Sequence, residues 1–178
     1  MKNKKKIVIL GSTGSIGKTL INILKKEKKS INISLLSSNK NYKELLKQVK
    51  IFGVKNIIVT NKKIFFKVKK ILKNKKIKIF NDFKCFNKIF KSKKVDYTMS
   101  AISGIDGLKP TLNIIKFTKN IALANKESVI CGWSLILKNL NKSKTNFIPV
   151  DSEHFSILSL INQDQSNIEK IFITASGG

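Results

Sequence analysis

The 178-residue sequence lacks arginine: all 36 of its basic residues are lysine, and with 10 acidic residues they give a formal net charge of +26. A charge of this sign and size suggests a partner with many negative charges, above all nucleic acid. Specific readout of bases and phosphates, however, relies heavily on the bidentate guanidinium of arginine. Because the lysines are also spread over predicted helix faces and loops, we interpret them as a solvated surface without a specific nucleic acid partner. A basic RNA-binding module remains an alternative.

Cysteines and long apolar runs are scarce as well. Cys85 and Cys131 lie far apart in apolar surroundings, so we predict two small buried hydrophobic residues rather than a disulfide or a zinc site. No apolar run approaches the roughly 18 residues of a membrane-spanning helix. The apolar run at 7–10 that follows the basic start is too short for a signal peptide. We therefore expect a cytoplasmic protein that does not associate with membranes.

The sequence does contain a regular alternation of short apolar runs and amphipathic segments. We predict strands at residues 7–10, 31–36, 56–59, 77–80, 95–100, 120–124, 147–150 and 168–174. We predict helices at residues 15–26, 42–52, 62–73, 86–90, 112–117 and 127–140. The alternation favours an α/β fold, namely a Rossmann-like, doubly wound parallel sheet with helices on both faces. Ile16, Leu20, Ile23 and Leu24 share one face of the first helix, and the third helix carries Ile64, Phe65, Val68, Ile71 and Leu72.

A glycine motif joins the first predicted strand to the first helix. It reads Gly11-Ser-Thr-Gly14-Ser-Ile-Gly17. Glycines at this spacing permit a tight turn and bring the backbone close to a pyrophosphate, whose charge is favoured at a helix N-terminus. Between an apolar strand and a helix, the motif predicts a dinucleotide site in which the amides of Gly14, Ser15 and Ile16 face the phosphates.

The residues after the second strand indicate which dinucleotide binds. NAD-selective sheets usually carry an acidic residue there, which holds the ribose hydroxyls. Here the segment is Ser37-Ser-Asn-Lys40-Asn41, which contains no acid and one lysine. Hydroxyl groups and Lys40 favour a 2′-phosphate, so the predicted cofactor is NADPH.

Two further polar motifs follow predicted strands, at the sheet edge where open α/β folds bind ligands. They are Asn125-Lys-Glu-Ser128 and Asp151-Ser-Glu-His154. Asp151 and Glu153 can both reach one cation, and their oxygens suit Mg²⁺ or Mn²⁺. Alternatively, Asp151 or Ser152 caps the helix that begins there, and the spacing does not decide between the two. For His154, we expect a packing or helix-surface role.

Together these motifs resemble the 1-deoxy-D-xylulose 5-phosphate reductoisomerase family in order and spacing. The matching stretches are Gly11 to Gly17, Ser100-Ala-Ile-Ser-Gly104 with Gly107 and Pro110-Thr111, Ala122-Leu-Ala-Asn-Lys-Glu-Ser128, Pro149-Val-Asp-Ser-Glu-His154 and Thr174-Ala-Ser-Gly-Gly178. The resemblance implies an NADP-dependent oxidoreductase that rearranges the phosphosugar 1-deoxy-D-xylulose 5-phosphate and reduces it to 2-C-methyl-D-erythritol 4-phosphate, an isoprenoid precursor. It also implies a divalent cation and, in the full-length form, a homodimer.

The resemblance further implies roles for individual residues. The cofactor contacts are expected from Thr13, Gly14, Ser15, Ile16, Asn39, Lys40, Asn41, Asn125 and Glu127. The metal ligands are expected to be Asp151 and Glu153. Substrate is expected to bind Lys126, Ser152, Glu153 and Ser176, with Lys126 and Glu153 catalytic. Asn39 departs from the pattern, because the family often has a small residue at this place.

The resemblance also divides the chain. We expect residues 1–150 to form an NADPH-binding Rossmann-like domain and residues 151–178 to begin a catalytic α+β domain. The family's third acidic metal ligand and its C-terminal helical domain have no counterpart before Gly178, so we expect a fragment that binds NADPH without turning over substrate. Another NADP-dependent dehydrogenase is the second alternative. A semialdehyde dehydrogenase would need a nucleophilic cysteine, and Cys131 has no evident partner base.

Overall fold

The computed structural model describes residues 4–91, 93–150, 152–163, 169, 170 and 172; at 152–154, 162 and 163 it describes the backbone alone. The described residues form seven strands: β1 (Lys5–Leu10), β2 (Ile31–Ser38), β3 (Asn56–Val59), β4 (Lys78–Phe80), β5 (Val95–Ser100), β6 (Thr118–Leu123) and β7 (Asn146–Pro149). They also form seven α-helices: α1 (Ser15–Lys26), α2 (Tyr42–Phe52), α3 (Lys62–Ile71), α4 (Phe86–Phe90), α5 (Leu108–Ile115), α6 (Lys126–Ser143) and α7 (Ser152–Gln163). The predicted last strand, 168–174, falls mostly outside the described residues.

All seven strands pair in parallel in one sheet, in the order β4-β3-β2-β1-β5-β6-β7. The chain builds outward from β1 to β4, then returns through α4 to the other side of β1 and builds outward again to β7. The predicted doubly wound parallel sheet is thereby confirmed. The direction of winding reverses between β1 and β5, and ligands of open α/β sheets bind outside the carboxyl ends of the strands at such a point.

Apolar side chains cover both faces of the sheet, as expected for parallel strands. The central strand β1 alternates between the two layers. Its residues Ile7 and Ile9 pack with the buried side chains of α1, α2 and α3. Its residues Val8 and Leu10 pack with those of α4, α5 and α6. The sheet is therefore held in a two-sided core, from which the loops at its carboxyl edge project.

Three helices that start at this edge begin on an asparagine. The Oδ1 atom of Asn41 accepts from the amide of Glu44, Asn61 from that of Ile64, and Asn125 from that of Ser128. Asparagine is among the preferred N-cap residues because its side chain satisfies a first-turn amide that has no intrahelical partner. These caps give α2, α3 and α6 defined starting points next to the strands they follow.

The buried face of α1 differs from the prediction. Gly17, Ile21 and Leu24 are buried, whereas Ile16 and Ile23 are 43% and 58% exposed. Gly17 lies against the turn after β1, and this contact rotates the helix so that the 17-21-24 face meets the sheet. Among the apolar residues of the third predicted helix, Val68 is fully buried, whereas Ile71 is 50% exposed at the end of α3.

Two further predictions need correction. Helix α5 begins at Leu108 rather than at 112, with Pro110 inside its first turn, where the missing amide of proline has no consequence. Cys85 is buried as predicted, but Cys131 is exposed on α6. Among the described helices, none has both the length and the apolar composition that a bilayer-spanning segment requires.

Candidate functional site

A cleft of about 1050 Å³ runs along the carboxyl edge of the sheet. Its walls come from the segments that follow the first five strands. They are Gly11, Thr13 and Gly14 after β1; Ser37, Ser38 and Asn39 at the end of β2; Thr60, Asn61 and Lys62 after β3; Asp82, Phe83 and Lys84 after β4; and Ala101, Ile102, Ser103, Ile105, Asp106, Lys109, Pro110 and Asn113 after β5. The cleft thus spans the point at which the sheet reverses its direction of winding.

The three glycines of the motif differ in how much room the structure leaves for a side chain. Gly11 has φ +77°, and a Cβ there would lie 2.4 Å from the carbonyl oxygen of Ala101. A Cβ at Gly17 would lie 2.4 Å from the carbonyl oxygen of Gly11, so α1 could not pack this closely on the turn. At Gly14 the nearest atom would be the Gly11 oxygen at 3.4 Å, an ordinary contact. Gly11 and Gly17 are therefore required by the fold. Gly14 is not, and the lack of a side chain there leaves space in the cleft beside the start of α1.

The N-terminus of α1 opens at Gly14 and suits an anion. Gly14 is the N-cap residue with an extended backbone, no side chain caps this end, and the first turn carries no acidic residue. The first-turn amides of a helix have no intrahelical acceptors, and the helix dipole adds partial positive charge. Ser15 and Ile16 are exposed in this turn. The predicted phosphate-binding residues thus lie at or next to the cleft.

Strand β2 holds the glycine turn in place. The amide of Gly11 donates to Ser37 Oγ at 2.9 Å, and the amide of Ser12 donates to the Ser37 carbonyl oxygen at 2.9 Å. The hydroxyl groups of Thr13 and Ser38 share a hydrogen bond of 2.8 Å. This part of β2 is the segment predicted to lie at the adenosine ribose of the cofactor. In the structure, its hydroxyl groups also tie β2 to the turn.

Gln48 on α2 is a site-supporting residue that the sequence analysis missed. Its side chain is fully buried, and its Nε2 donates to the carbonyl oxygen of Ser12 at 3.0 Å and to Glu44 Oε1 at 3.1 Å. Its Oε1 has no partner among the described residues. The signal for it was weak: a polar residue on the buried side of an amphipathic helix.

The three residues predicted to lie at the adenosine end of the cofactor, 39–41, do not all line the cleft. Asn39 lines the cleft, whereas Lys40 and Asn41 are exposed and lie outside its lining. Asn41 uses its side chain to cap α2. Lys62 and Lys84, which the sequence analysis did not single out, line the cleft instead. In a chain with 36 lysines, nothing in the sequence distinguishes these two from the others.

On the other side of the cleft, Asn125 ties two segments together. Its Nδ2 donates to the carbonyl oxygens of Ile102 and Gly104, the latter at 2.7 Å, and its Oδ1 accepts from the Ser128 amide at 2.9 Å. The side chain is 3% exposed, so its polar groups serve the loop after β5 and the start of α6. This arrangement places Lys126 and Glu127, both exposed, in the first turn of α6 next to that loop.

The first turns of α6 are set apart from the rest of the helix by a kink. Gly132 has φ −132° and ψ 16°, which are not helical values. A Cβ at this position would lie 2.4 Å from Leu108 Cδ1, so the glycine allows α6 to approach α5 closely. Lys126 and Glu127 therefore belong to a short helical segment packed on the start of α5.

The predicted metal site is described only to a limited extent. Helix α7 begins at Ser152, which agrees with a helix start directly after β7. Asp151 and Ser176 lie outside the described residues, as do the side chains of Ser152 and Glu153. Among the described histidine, cysteine, aspartate and glutamate residues, no group of three is close enough to hold a metal ion.

The two cysteines lie away from the cleft lining. Burial, with a smaller contribution from the Asp82 carboxylate, raises the pKa of the Cys85 thiol to about 12, so this thiol stays protonated and unreactive. Cys131 is exposed on α6 beyond the first turn. Neither position suits the nucleophile that a semialdehyde dehydrogenase needs.

Two sequence models of known families match the chain. The model described as 1-deoxy-D-xylulose 5-phosphate reductoisomerase matches residues 7–132. The model described as 1-deoxy-D-xylulose 5-phosphate reductoisomerase C-terminal domain matches residues 147–178. The two matches follow each other along the chain and together include every motif named in the sequence analysis.

Curated relatives carry the same description. The chain is 63% identical over 176 residues to the 1-deoxy-D-xylulose 5-phosphate reductoisomerase of Pelagibacter ubique, and the match covers 98% of this chain and 45% of that protein. It is 37% identical over 177 residues to the reductoisomerase of Clostridium tetani, a match that covers 98% of this chain and 46% of the relative. The chain thus spans about half the length of the curated relatives it matches.

Solved structures of such enzymes superpose well on the chain. The reductoisomerase from Zymomonas mobilis in complex with NADPH gives a TM-score of 0.77 at 29% identity, over 85% of this chain and 40% of that one. A reductoisomerase in complex with NADPH, fosmidomycin and magnesium gives a TM-score of 0.80 at 27% identity, over 90% of this chain and 40% of that one.

Proposed function

The chain belongs to the 1-deoxy-D-xylulose 5-phosphate reductoisomerase family, and on this premise we propose that it forms the NADPH-binding part of an enzyme that converts 1-deoxy-D-xylulose 5-phosphate to 2-C-methyl-D-erythritol 4-phosphate. One observation carries the proposal: the uncapped N-terminus of α1 opens onto the cleft at Gly14, at the reversal point of the sheet. A dinucleotide pyrophosphate needs this combination of free amides, helix dipole and open space.

The residues around the cleft fit NADPH. The exposed first-turn amides of Ser15 and Ile16 bind the pyrophosphate. The Gly14 amide donates to the Gly11 carbonyl oxygen at 3.1 Å, so Gly14 contributes its open backbone beside the phosphates. Thr13 ties this turn to β2 through its bond to Ser38. The end of β2 carries no carboxylate that would repel a 2′-phosphate. When bound, the cofactor supplies the hydride that reduces the rearranged substrate. Solved relatives with NADPH support the assignment, since they share this fold.

The substrate side is built around the ends of β6 and β7. Asn125 holds the loop after β5 and thereby positions Lys126 and Glu127, of which Lys126 binds substrate and Glu127 contacts the cofactor. The Asp151 and Glu153 carboxylates follow β7 directly and have the donor chemistry for Mg²⁺ or Mn²⁺. Ser152 and Ser176 complete the substrate site. A cation held there would stabilise the charge that develops on the substrate oxygens.

We also propose a division of the chain near residue 150. The gap between the two matched family models, 132 to 147, supports a boundary close to β7. Residues 1–150 form the NADPH-binding domain and residues 151–178 begin the catalytic domain. In the complete protein we expect a cytoplasmic homodimer with no specific nucleic acid partner. The 178 residues alone bind cofactor without turnover, because the relatives carry about half of their length outside the matched region.

Calorimetric titration with NADPH and then NADH tests this proposal. We expect saturable NADPH binding, with NADH at least about tenfold weaker, the difference that about 1.4 kcal/mol produces. Gly14→Asp should abolish binding of both, since it places a carboxylate where the phosphates lie. The matched variant Gly14→Ala should fold like the parent, because its Cβ meets no protein atom closer than 3.4 Å. It should weaken both nucleotides less than Gly14→Asp does, because it adds bulk beside the pyrophosphate without adding charge.

Two results would contradict the proposal. The first is a folded parent chain that binds neither nucleotide. The second is a Gly14→Asp variant that binds NADPH as tightly as the parent, because the pyrophosphate would then lie elsewhere. Circular dichroism of each variant shows that it is folded.

A further inference from the structure

A second cavity, of about 500 Å³, lies beside β3, β4 and α4 and shares no lining residue with the cofactor cleft. It is called the lysine pocket below, because four of its lining residues are lysine and none is acidic. The four are Lys55, Lys76, Lys78 and Lys88, and their side chains are exposed. The remaining lining residues, Asn56, Phe80 and Ile89, are half-buried.

The fold brings these lysines together from separate elements. Lys78 lies opposite Asn56 in the parallel pairing of β3 with β4, and its amide donates to the carbonyl oxygen of Lys55 at 2.8 Å. Side chains alternate across a strand, so Lys78 shares one face of β4 with Phe80, which packs against the core layer of α4. Helix α4 covers this face and contributes Lys88. The four positive charges thus surround one concavity with an apolar wall.

Protection of the sheet edge explains only part of this cluster. Strand β4 is the last in the sheet, and lysines on an edge strand hinder its pairing with a strand of another chain. That accounts for Lys78 and the neighbouring Lys76. Lys55, however, precedes β3, which lies inside the sheet between β4 and β2, and Lys88 is on a helix. Neither of these two protects an edge.

The charges of the lysine pocket are free to meet a ligand. Among the described residues a single ion pair is found, between Lys119 and Asp96, so none of the four lysines is neutralised by a described carboxylate. Charges of one sign in a concave site with an apolar wall focus the electrostatic potential. The volume lies within the range of small-molecule pockets, about 300–1,000 Å³. The ligand that fits is therefore small and carries several negative charges.

We propose that the lysine pocket binds an oligophosphate, a small anion with two or more linked phosphate groups. Lysine binds phosphate as a point charge on a flexible stem, so four of them can adapt to a chain of phosphate groups. A single phosphate group carries a charge of about −2 at neutral pH, less than four ammonium groups can balance. The site goes beyond the proposed function and does not rest on it.

The test is calorimetric titration of the chain with inorganic tripolyphosphate at about 150 mM NaCl, with NADPH at saturation so that the cofactor cleft is filled. We expect saturable binding to the parent. Replacing all four lysines of the pocket by glutamine should raise Kd at least about tenfold. The matched control replaces four exposed lysines outside the pocket by glutamine, namely Lys28, Lys29, Lys138 and Lys142. Both variants lower the net charge from +26 by four to +22, and the control should raise Kd less than about threefold.

The outcomes decide the proposal. A parent that does not bind tripolyphosphate overturns it, and so does an equal loss in the two variants, which would show a general effect of charge. Because all replaced side chains are exposed, circular dichroism should show both variants folded like the parent. A parent that binds tripolyphosphate but not NADPH overturns the proposed function and leaves the lysine pocket in place.

Inorganic oligophosphates and the triphosphate chain of a nucleotide share this chemistry, and a second titration with ATP separates them. Tighter binding of ATP, lost in the variant without the four lysines, identifies a nucleotide whose base contacts the apolar wall at Phe80 and Ile89. Binding of ATP no tighter than that of tripolyphosphate identifies the phosphate chain alone as the ligand.

Discussion

At the scale of single residues, Gln48 shows how a buried amide supports a phosphate-binding turn from outside it. Replacing it with leucine removes the donor to the Ser12 carbonyl oxygen while keeping much of the side-chain volume. We expect Gln48→Leu to lower the free energy of unfolding by about 1–3 kcal/mol, since a buried carbonyl loses its partner. We also expect Gln48→Leu to weaken the binding of NADPH and of NADH by the same factor, because the glycine turn contacts the pyrophosphate that both nucleotides contain.

Urea unfolding and calorimetry measure the two effects of Gln48→Leu. Lys47→Leu is the matched control, since Lys47 adjoins it on α2 but is exposed. A loss of NADPH binding alone would contradict the prediction, because it would place Gln48 at the 2′-phosphate rather than behind the turn.

The residues of the candidate site were predictable to different degrees. The importance of Gly11 and Gly17 could be predicted from the sequence. Backbone atoms of the neighbouring segments leave no room for a Cβ at either place, so only glycine fits and the motif marks both positions. The cleft positions of Lys62 and Lys84 could not be predicted, because they arise where the segments after β3 and β4 meet the end of β2. Asn125 was expected to touch the cofactor. Its side chain bonds two loop carbonyl groups in the structure, and its predicted contact is untested.

At the scale of helices and strands, sequence periodicity located most elements because each combines a short apolar run or stripe with a cap or a glycine. Helices α1, α2 and α4 have the predicted bounds. The buried face of α1 was mispredicted because a glycine contact, not the apolar stripe, decides its rotation. The start of α5 was predicted four residues too late, at 112, whereas the helix includes Pro110 in its first turn, where proline is accepted.

Asp96 joins three neighbouring strands at the opposite edge of the sheet. On β5, its carboxylate accepts from Lys119 of β6 at 2.9 Å and from the backbone amide of Lys6 of β1 at 2.8 Å. The bond from the Lys119 ammonium, and then that from the Lys6 amide, hold the pKa of Asp96 below its usual value. The ionised form is therefore stabilised in the folded state, so its contribution is present above about pH 4 and is lost as the pH falls through the folded pKa.

We expect Asp96→Asn to lower the free energy of unfolding at pH 7 by about 1 kcal/mol. The difference from the parent should narrow as the pH falls below about 4, where the parent carboxyl becomes protonated as well. Chemical unfolding at several pH values measures this. NADPH binding serves as the control and should not change, because Asp96 lies away from the cleft lining. A difference that stays constant with pH would contradict the assignment.

At the scale of the whole molecule, charge dominates the surface. The chain carries a net charge of +26, and the described residues contain a single ion pair. Self-repulsion of this kind opposes the compact state and is screened by salt. Raising NaCl from about 10 mM to about 150 mM shortens the Debye length from about 30 Å to about 8 Å. We expect Tm to rise by about 3 °C, on the order of 1 kcal/mol for a chain of this size.

Thermal unfolding at the two salt concentrations checks this expectation. The matched control replaces the exposed residues Lys28, Lys29, Lys69 and Lys70 by glutamine, which lowers the net charge from +26 by four to +22. This variant should gain less from added salt than the parent. A parent whose Tm does not respond to salt would show that the lysines are too widely spaced to repel one another appreciably.

The order of the strands has a consequence for the chain as it leaves the ribosome. Strands β1 to β4 are neighbours in the sheet in the order in which they are translated, so this half can pair as it emerges. The remaining edge of β1 has to wait for β5, and the contact between Lys6 and Asp96 spans 90 positions. Meanwhile the side chains of Val8 and Leu10 lack the helices that will cover them, and an unpaired apolar edge invites pairing with a neighbouring chain. Nascent chains on crowded polysomes are therefore most at risk of aggregating until β5 has paired with β1 and α4, α5 and α6 have covered this face, and chaperone protection matters most during this interval of translation.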